Sequence, residues 1–337
     1  MSGKFTATLV GVLLMAAAAA GYLFFVGNPQ AGRAERAEAP PICPLTNEEG
    51  SSRRVARRPA LAVKIENIPE SRPQSGLAQA DVIYEQPVEG GITRFIAVYQ
   101  CADSDRIGPI RSARLVDAEV LPQFGVPLFA YSGGAGPVLE AISEASLVDA
   151  SPANAGDAYV HDSARAAPHD LYASTGALFQ TGRREGTTPE SVFTFSNRLE
   201  NRKAFDRSPQ INVNYSPAAN VFWSWDRASK RWLRSHDGIA HTLEDGTQVS
   251  VDNVIVQMVQ VSDSGIVDAA GNPSPEVDVL GQGTAYIFRD GRVIEGTWVR
   301  DAVTDVTRFV DAQGNEIALT PGRTWIHLFP SDAALTF

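Results

Sequence analysis

The sequence predicts an α+β protein: an N-terminal α/β domain, then a mostly antiparallel β domain, both behind an N-terminal transmembrane helix. Three observations carry this expectation. The run from Phe5 to Val26 is apolar and uncharged. Residues 59–200 interleave β-branched and aromatic runs with apolar positions at helical spacing. Residues 210–332 string short β-type runs together, with Asp-Gly pairs between them.

The chain has 337 residues, 44% of them hydrophobic and 20% charged. That composition excludes a wholly disordered chain. A net charge of -10 argues against a nucleic-acid partner, which requires a basic face to neutralise phosphates. Two cysteines, Cys43 and Cys101, are too few for a disulfide-rich scaffold or a four-cysteine zinc site.

At ~1.5 Å per residue, Phe5 to Val26 is long enough to cross a hydrocarbon core of about 30 Å. A secretory apolar core is shorter, roughly 7–15 residues. Residues 1–26 are therefore expected to be an uncleaved anchor, with the membrane as its partner. The Ala16–Ala20 run keeps a cleaved signal as the alternative. Either reading sends the rest of the chain across the membrane. Cys43 follows Ala39-Pro40-Pro41-Ile42 and not a lipobox-like run of small residues, so no lipidated cysteine is expected. Residues 27–58 read as an extracytoplasmic linker with no apolar period. Arg53, Arg54, Arg57 and Arg58 suit a solvated tether, or attraction to anionic headgroups or wall polymers. In an oxidising compartment Cys43 and Cys101 are expected to form one disulfide.

In the α/β part, 60–66, 82–88, 93–100 and 127–133 read as strands. Residues 113–124, 136–145 and 171–184 read as helices, with Pro137 suited to a first turn. In the β part, strands are expected at 220–226, 230–236, 248–261, 284–290, 292–300, 316–320 and 323–329. Asp237-Gly238, Asp245-Gly246 and Asp290-Gly291 suit tight turns. Residues 262–280 show no pattern and read as a long loop. All five tryptophans fall in this part. Core packing explains them best, and a sugar-stacking platform is the sharper alternative.

Several motifs resemble a known family. ALAVKIEN (60–67), RPQSGLAQADVIYEQPVEGGITRF (72–95), IGPIRSAR (107–114), HDSARAAPHDLY (161–172), NVIVQ (253–257), GTWVR (296–300) and PGRTWIHLFP (321–330) occur in the order seen in the YerB-like lipoprotein family. CPLT (43–46) is similar to the motif that precedes the first domain there. The resemblance spans about 59–330. It implies two consecutive domains of unknown function on an extracytoplasmic, membrane-tethered protein, and it implies no activity. The apparent transmembrane anchor in place of a lipobox departs from the family pattern.

The 60–95 block places Glu66, Asn67, Arg72, Gln74, Ser75, Glu85, Glu89 and Arg94 among glycines and apolar strands. That density suits a polar pocket at strand ends, or a network of arginine–carboxylate pairs. Glu85 and Glu89 have the composition of a glycosidase pair, but four residues of straight strand span roughly 13 Å, too far for one. Arg111, Ser112 and Arg114 suit carboxylate or phosphate, with Ser112 as a helix N-cap. YSGGAGPVLE (131–140) lacks a P-loop lysine and is a poor nucleotide site. His161 and His169 with Asp162 and Asp170 match no zinc spacing and read as a polar loop closing over the pocket. His236, His241 and His327 read as isolated structural residues. No metal or cofactor is expected. The leading expectation is a non-enzymatic envelope protein binding a wall component or a wall-assembly partner. The alternative is a hydrolase or transferase acting on wall glycan or peptide, with Glu89 or His169 as general base.

Overall fold

The computed structural model describes residues 40–182, 185–200, 205–268 and 271–337. The expected anchor, and the expected linker as far as residue 39, lie outside the described residues. Among the described residues no helix is long and apolar enough to cross a membrane. Residues from Pro41 to Phe337 form one compact unit.

In chain order the first strands are β1 (Leu61–Glu66), β2 (Val82–Pro87), β3 (Thr93–Tyr99), β4 (Leu128–Ala130) and β5 (Val148–Asp149). A small hairpin follows, β6 (Tyr159–His161) with β7 (Leu171–Ala173). Then come β8 (Gln210–Ser216), β9 (Ala219–Asp226), β10 (Arg231–His236), β11 (Ile239–Ala240) and β12 (Ser250–Val251). The chain continues through β13 (Asn253–Val259), β14 (Val261–Val267), β15 (Pro273–Val277), β16 (Gly281–Arg289) and β17 (Arg292–Arg300). It ends with β18 (Arg308–Val310), β19 (Thr324–Pro330) and β20 (Leu335–Thr336).

One mixed ten-stranded sheet runs β18-β17-β16-β13-β19-β2-β3-β1-β4-β5. Its strands come from both the 59–200 and the 210–332 segments. The junction is β19, parallel to β13 on one side and to β2 on the other. A second, antiparallel sheet runs β11-β10-β9-β8-β20, with β12 also on β10. The architecture is α+β.

Strand alternation divides the core in two. Val63, Ile65, Ile83, Phe95, Ala97, Trp325 and Phe329 face the second sheet, where they meet Ile211, Val213, Trp223 and Trp232. Ala62, Tyr84, Ile96, Val98, Ile326 and Leu328 face the other way, onto helices α1 (Leu115–Val120) and α2 (Gly136–Glu144). Pro137 sits in the first turn of α2 as expected. The Asp290-Gly291 turn joins β16 to β17 with φ of 53° and 68°, the backbone of a tight hairpin turn. Cys43 and Cys101 form a disulfide with Cα atoms 6.0 Å apart. It closes a sequence separation of 58 residues, which stabilises by roughly 4 kcal/mol in the chain-entropy picture.

Four local expectations need correction. Residues 262–280 are not a patternless loop: β14 and β15 pair as an antiparallel hairpin. Most of its side chains are at least partly exposed, so no apolar alternation marks it. The expected helix 171–184 opens as strand β7, whose three residues are buried, and its helix α3 covers only Thr175–Gly182. The expected strand 316–320 is reduced to single bridges at Glu316 and Leu319. The expected isolation of His236, His241 and His327 is also wrong, because all three meet in one buried network.

Its centre is Arg234, fully buried and donating from Nη2 to both Glu85 oxygens at 2.9 and 2.8 Å. Trp325 Nε1 donates to the same carboxylate at 3.0 Å, and Thr93 Oγ1 at 2.8 Å. Nη1 of Arg234 donates to His236 Nε2 and, at 2.7 Å, to His241 Nδ1. Trp223 Nε1 donates to His327 Nε2 at 2.9 Å. Guanidinium and indole nitrogens only donate, so each of these ring nitrogens must accept. All three imidazoles are therefore neutral. Burial first, and the Arg234 charge as well, hold them below the ordinary histidine value, His327 at about 4. Burial alone would raise the Glu85 carboxyl, but the Arg234 charge and the hydrogen bonds from Arg234 and Thr93 outweigh it and hold it low.

A buried pair that loses one partner leaves an uncompensated charge. Arg234→Met is expected to destabilise by about 3–5 kcal/mol in denaturant unfolding. The double variant with Glu85→Gln should recover much of that loss; equal loss in both would refute the coupling.

The neutral histidines also set a pH dependence. Their folded values lie below the unfolded value, so the unfolded chain binds more protons once pH drops below about 6.5. Stability is complete above that value and falls as pH drops towards about 4, at up to about 1.4 kcal/mol per pH unit for each histidine. Asp81 opposes one of the three, because burial raises its folded value to about 6. Denaturant midpoints at pH 7.5, 6 and 5 should fall in that order, and a flat series would contradict the neutral assignment.

Candidate functional site

The face of the large sheet that lies against α1 carries an unusual set of buried polar residues. Lys64 and Glu66 on β1, Gln86 on β2 and Arg94 on β3 all point to it, because Arg94 lies directly opposite both Glu66 and Gln86 in register. Lys64 is fully buried and paired with Asp117 of α1 at 2.6 Å. Burial lowers its ammonium to about 8 despite that partner. Asp117 also accepts the Arg114 backbone N–H at 2.7 Å, which caps α1. Ser112 is therefore not the N-cap; Arg114 is. The Ser112 carbonyl instead accepts Arg94 Nη1 at 3.0 Å and Arg114 Nη1 at 3.3 Å.

Three arginines thus converge at the ends of β1 and β3. Arg111 Nε donates to Glu66 Oε1 at 2.7 Å, and Arg114 Nη2 donates to Glu89. Arg94 is 5% exposed and has no carboxylate partner among the described residues. Burial and then the charges of Arg114 and Arg111 depress it to about 10, which leaves it fully cationic at neutral pH. Its Nε has no hydrogen-bond partner, and neither do Arg114 Nε or the two side-chain polar atoms of Gln86. Buried polar atoms normally find partners, so such a concentration marks a place built to meet a polar group. Beside it lies a cleft of about 230 Å³ lined by Glu89, Ser112, Arg114, Gly134, Ala135 and Ser274 among others.

Glu66, one of the polar residues of the 60–95 block, is the second organising carboxylate. Its Oε2 lies 2.6 Å from His169 Nδ1. The carboxylate only accepts, so Nδ1 holds the proton and Nε2 is left as the basic nitrogen. The loop between β6 and β7 delivers His169. Arg165 in that loop donates to the carbonyls of Ser71 and Pro73 at 3.1 and 2.7 Å and to Glu244 at 2.8 Å, which clamps it in place.

Of the residues expected to line a pocket, Glu89, Arg94, Arg111, Ser112, Arg114 and His169 come together here. Arg72 does not: it binds the Asn67 carbonyl at 3.0 Å and lies near Arg234. Glu85 points to the opposite face, into the Arg234 network. It shares no partner with Glu89, which bonds Arg114 and Ser274. Burial would raise the Glu89 carboxyl, but those two hydrogen bonds outweigh it and hold it low. His161 pairs with Asp170 at 2.8 Å and is largely exposed on its hairpin. Among the described residues no group of three or more His, Cys, Asp or Glu side chains is placed to hold a metal ion.

Comparison with known proteins agrees with the motif order. Residues 45–188 match the Protein of unknown function (DUF3048) N-terminal domain, and residues 211–326 match its C-terminal domain. The chain is 29% identical over 302 residues to "Putative lipoprotein YerB" of Bacillus subtilis (strain 168), covering 86% of this chain and 87% of that protein. The crystal structure of YerB protein from Bacillus subtilis superposes with a TM-score of 0.74 at 24% identity, covering 88% of this chain and 99% of that one, which shows a shared fold. With both domains matched in order along most of its length, this chain belongs to the DUF3048, YerB-like family.

Proposed function

We propose that this protein is a membrane-tethered, extracytoplasmic envelope protein that binds an oxyanion of a cell-wall component, a carboxylate or phosphate, at the Arg94–Arg111–Arg114 cluster. The cellular side rests on the apolar run at 5–26, the Cys43–Cys101 disulfide and the likeness to a protein named as a lipoprotein. The binding role rests chiefly on one observation: Arg94 is a buried guanidinium with an unmatched Nε and no ion pair among the described residues. A buried cation without a counter-ion is costly, and an oxyanion ligand would remove that cost. Glu66 and Glu89 hold the flanking arginines in orientation and leave Arg94 for the ligand.

Titration of the purified protein with inorganic phosphate, and with a soluble digest of wall material, tests this. Arg94→Ala is expected to weaken binding at least tenfold, or about 1.4 kcal/mol. Its unfolding midpoint should be maintained or raised, since an uncompensated charge is removed. Unchanged affinity would refute the site.

A second reading is favoured by the Glu66–His169 pair. A carboxylate that fixes the imidazole tautomer and leaves Nε2 free is the arrangement of a general base. Glu89 suits that role poorly, because its charge is committed to Arg114. If the protein releases soluble fragments from wall material, His169→Ala should abolish the release and leave phosphate affinity in place. No release by the unaltered protein would leave binding as the function.

A further inference from the structure

A different cavity, sharing no lining residue with the arginine cluster, lies where the two sheets meet. It measures about 750 Å³ and is lined by Asn197, Arg207, Pro209, Trp225, Arg227, Lys230, Asp290, Gly291 and Arg292. The chain between the sheets builds it. Ser208 N–H donates to the Gly291 carbonyl at 3.2 Å, and Trp225 N–H donates to the Pro209 carbonyl at 2.8 Å. Arg207 and Arg292 form a backbone bridge. The turn between β16 and β17 is thereby stitched to the end of β9.

Two chemistries meet in this cavity. Four cations line it, and none of Arg207, Arg227, Lys230 and Arg292 makes an ion pair among the described residues. Arg292 Nη1 bonds the Phe205 carbonyl, and its buried Nε has no partner. On a chain of net charge -10, four cations beside one carboxylate, Asp290, which also pairs with Arg289, are a local arrangement and do not reflect general basicity. The second element is Trp225. Trp223, Trp232, Trp298 and Trp325 are buried, and Trp225 alone among the five is partly exposed. Its ring packs on the hairpin turn: a Cβ at Gly291, where φ is 68°, would come within 2.7 Å of the indole. Glycine at this position satisfies the turn and seats the ring.

An indole face takes the C–H face of a saccharide ring, and guanidinium and ammonium groups take a dianionic oxyanion. The volume suits a small ligand rather than a chain segment. We propose that this cavity is a second ligand site, for a phosphorylated sugar whose ring stacks on Trp225 and whose phosphate is held by Arg207, Arg227, Lys230 and Arg292. The cleft beside Arg94 has no aromatic residue in its described lining and suits an oxyanion alone, so the two sites differ in what they select.

The test is titration of the full-length protein in detergent with glucose 6-phosphate, glucose and inorganic phosphate, followed through the indole N–H resonances. Arg94→Ala serves as background, so that the other site does not contribute. Glucose 6-phosphate is expected to move the Trp225 resonance and to bind at least tenfold tighter than either glucose or phosphate. The exposed pair Arg227→Glu and Lys230→Glu together should remove that binding without moving the unfolding midpoint. The proposal is overturned if glucose 6-phosphate binds no better than phosphate, which would make the cavity a plain charge patch. It is also overturned if the double variant binds equally well, or if a short single-stranded oligonucleotide binds there more tightly than the sugar phosphate.

Discussion

The ion pair between Arg234 and Glu85 is the interaction on which the rest of the structure depends. Arg234 belongs to the second sheet and Glu85 to β2 at the middle of the first, and neither is exposed. Two charges taken out of water are stable together only if nearly every lone pair and N–H is met. Trp325, Thr93, His236 and His241 supply those partners, and His241 in turn donates to Gln74 at 2.8 Å. The second sheet therefore has a single seating on the first. A shift by one strand position would turn Glu85 to the wrong face and strand both charges.

That seating lets the opposite face of the same strands specialise. On β2, Glu85 faces the second sheet and Gln86, the next residue, faces α1. On β3, Phe95 packs edge-on to Trp325 with ring centroids 5.0 Å apart, while Arg94 points the other way. One face carries a closed network with its charges matched. The other carries Arg94 without a counterion, between Arg111 and Arg114. The closed network supplies rigidity, and the open cluster holds chemistry that an outside group can complete. The parallel placement of β19 between β13 and β2 makes both possible, since it joins strands distant in the chain into one sheet.

Much of this was legible in the residues. Alternation and β-branched runs marked β1, β2, β3, β13, β16, β17 and β19, because each is long and buried on at least one face. Glu89, Arg94, Arg111, Arg114 and His169 were expected in one pocket together with Arg72 and Glu85, which lie elsewhere. Other features left no local trace. The β14–β15 hairpin is largely exposed, so its sequence has no periodic apolar side. Glu66 was visible as a polar residue of the 60–95 block, but its partners Arg111 and His169 come from 45 and 103 residues away.

The sequence by itself determined the long buried strands and the helices α1 and α2, the likeness to the family, and the stock of charged residues near the strand ends. Those properties depend on neighbours a few residues apart, and local spacing records them. Only the tertiary structure decided how the charges are divided. It gave Glu85 to Arg234, Glu66 to Arg111 and His169, and Glu89 to Arg114, and it left Arg94 with none among the described residues. It also drew His236, His241 and His327 into one neutral, buried group. Partner choice between charges is set by distances across strands and sheets, and a one-dimensional order of residues does not contain those distances.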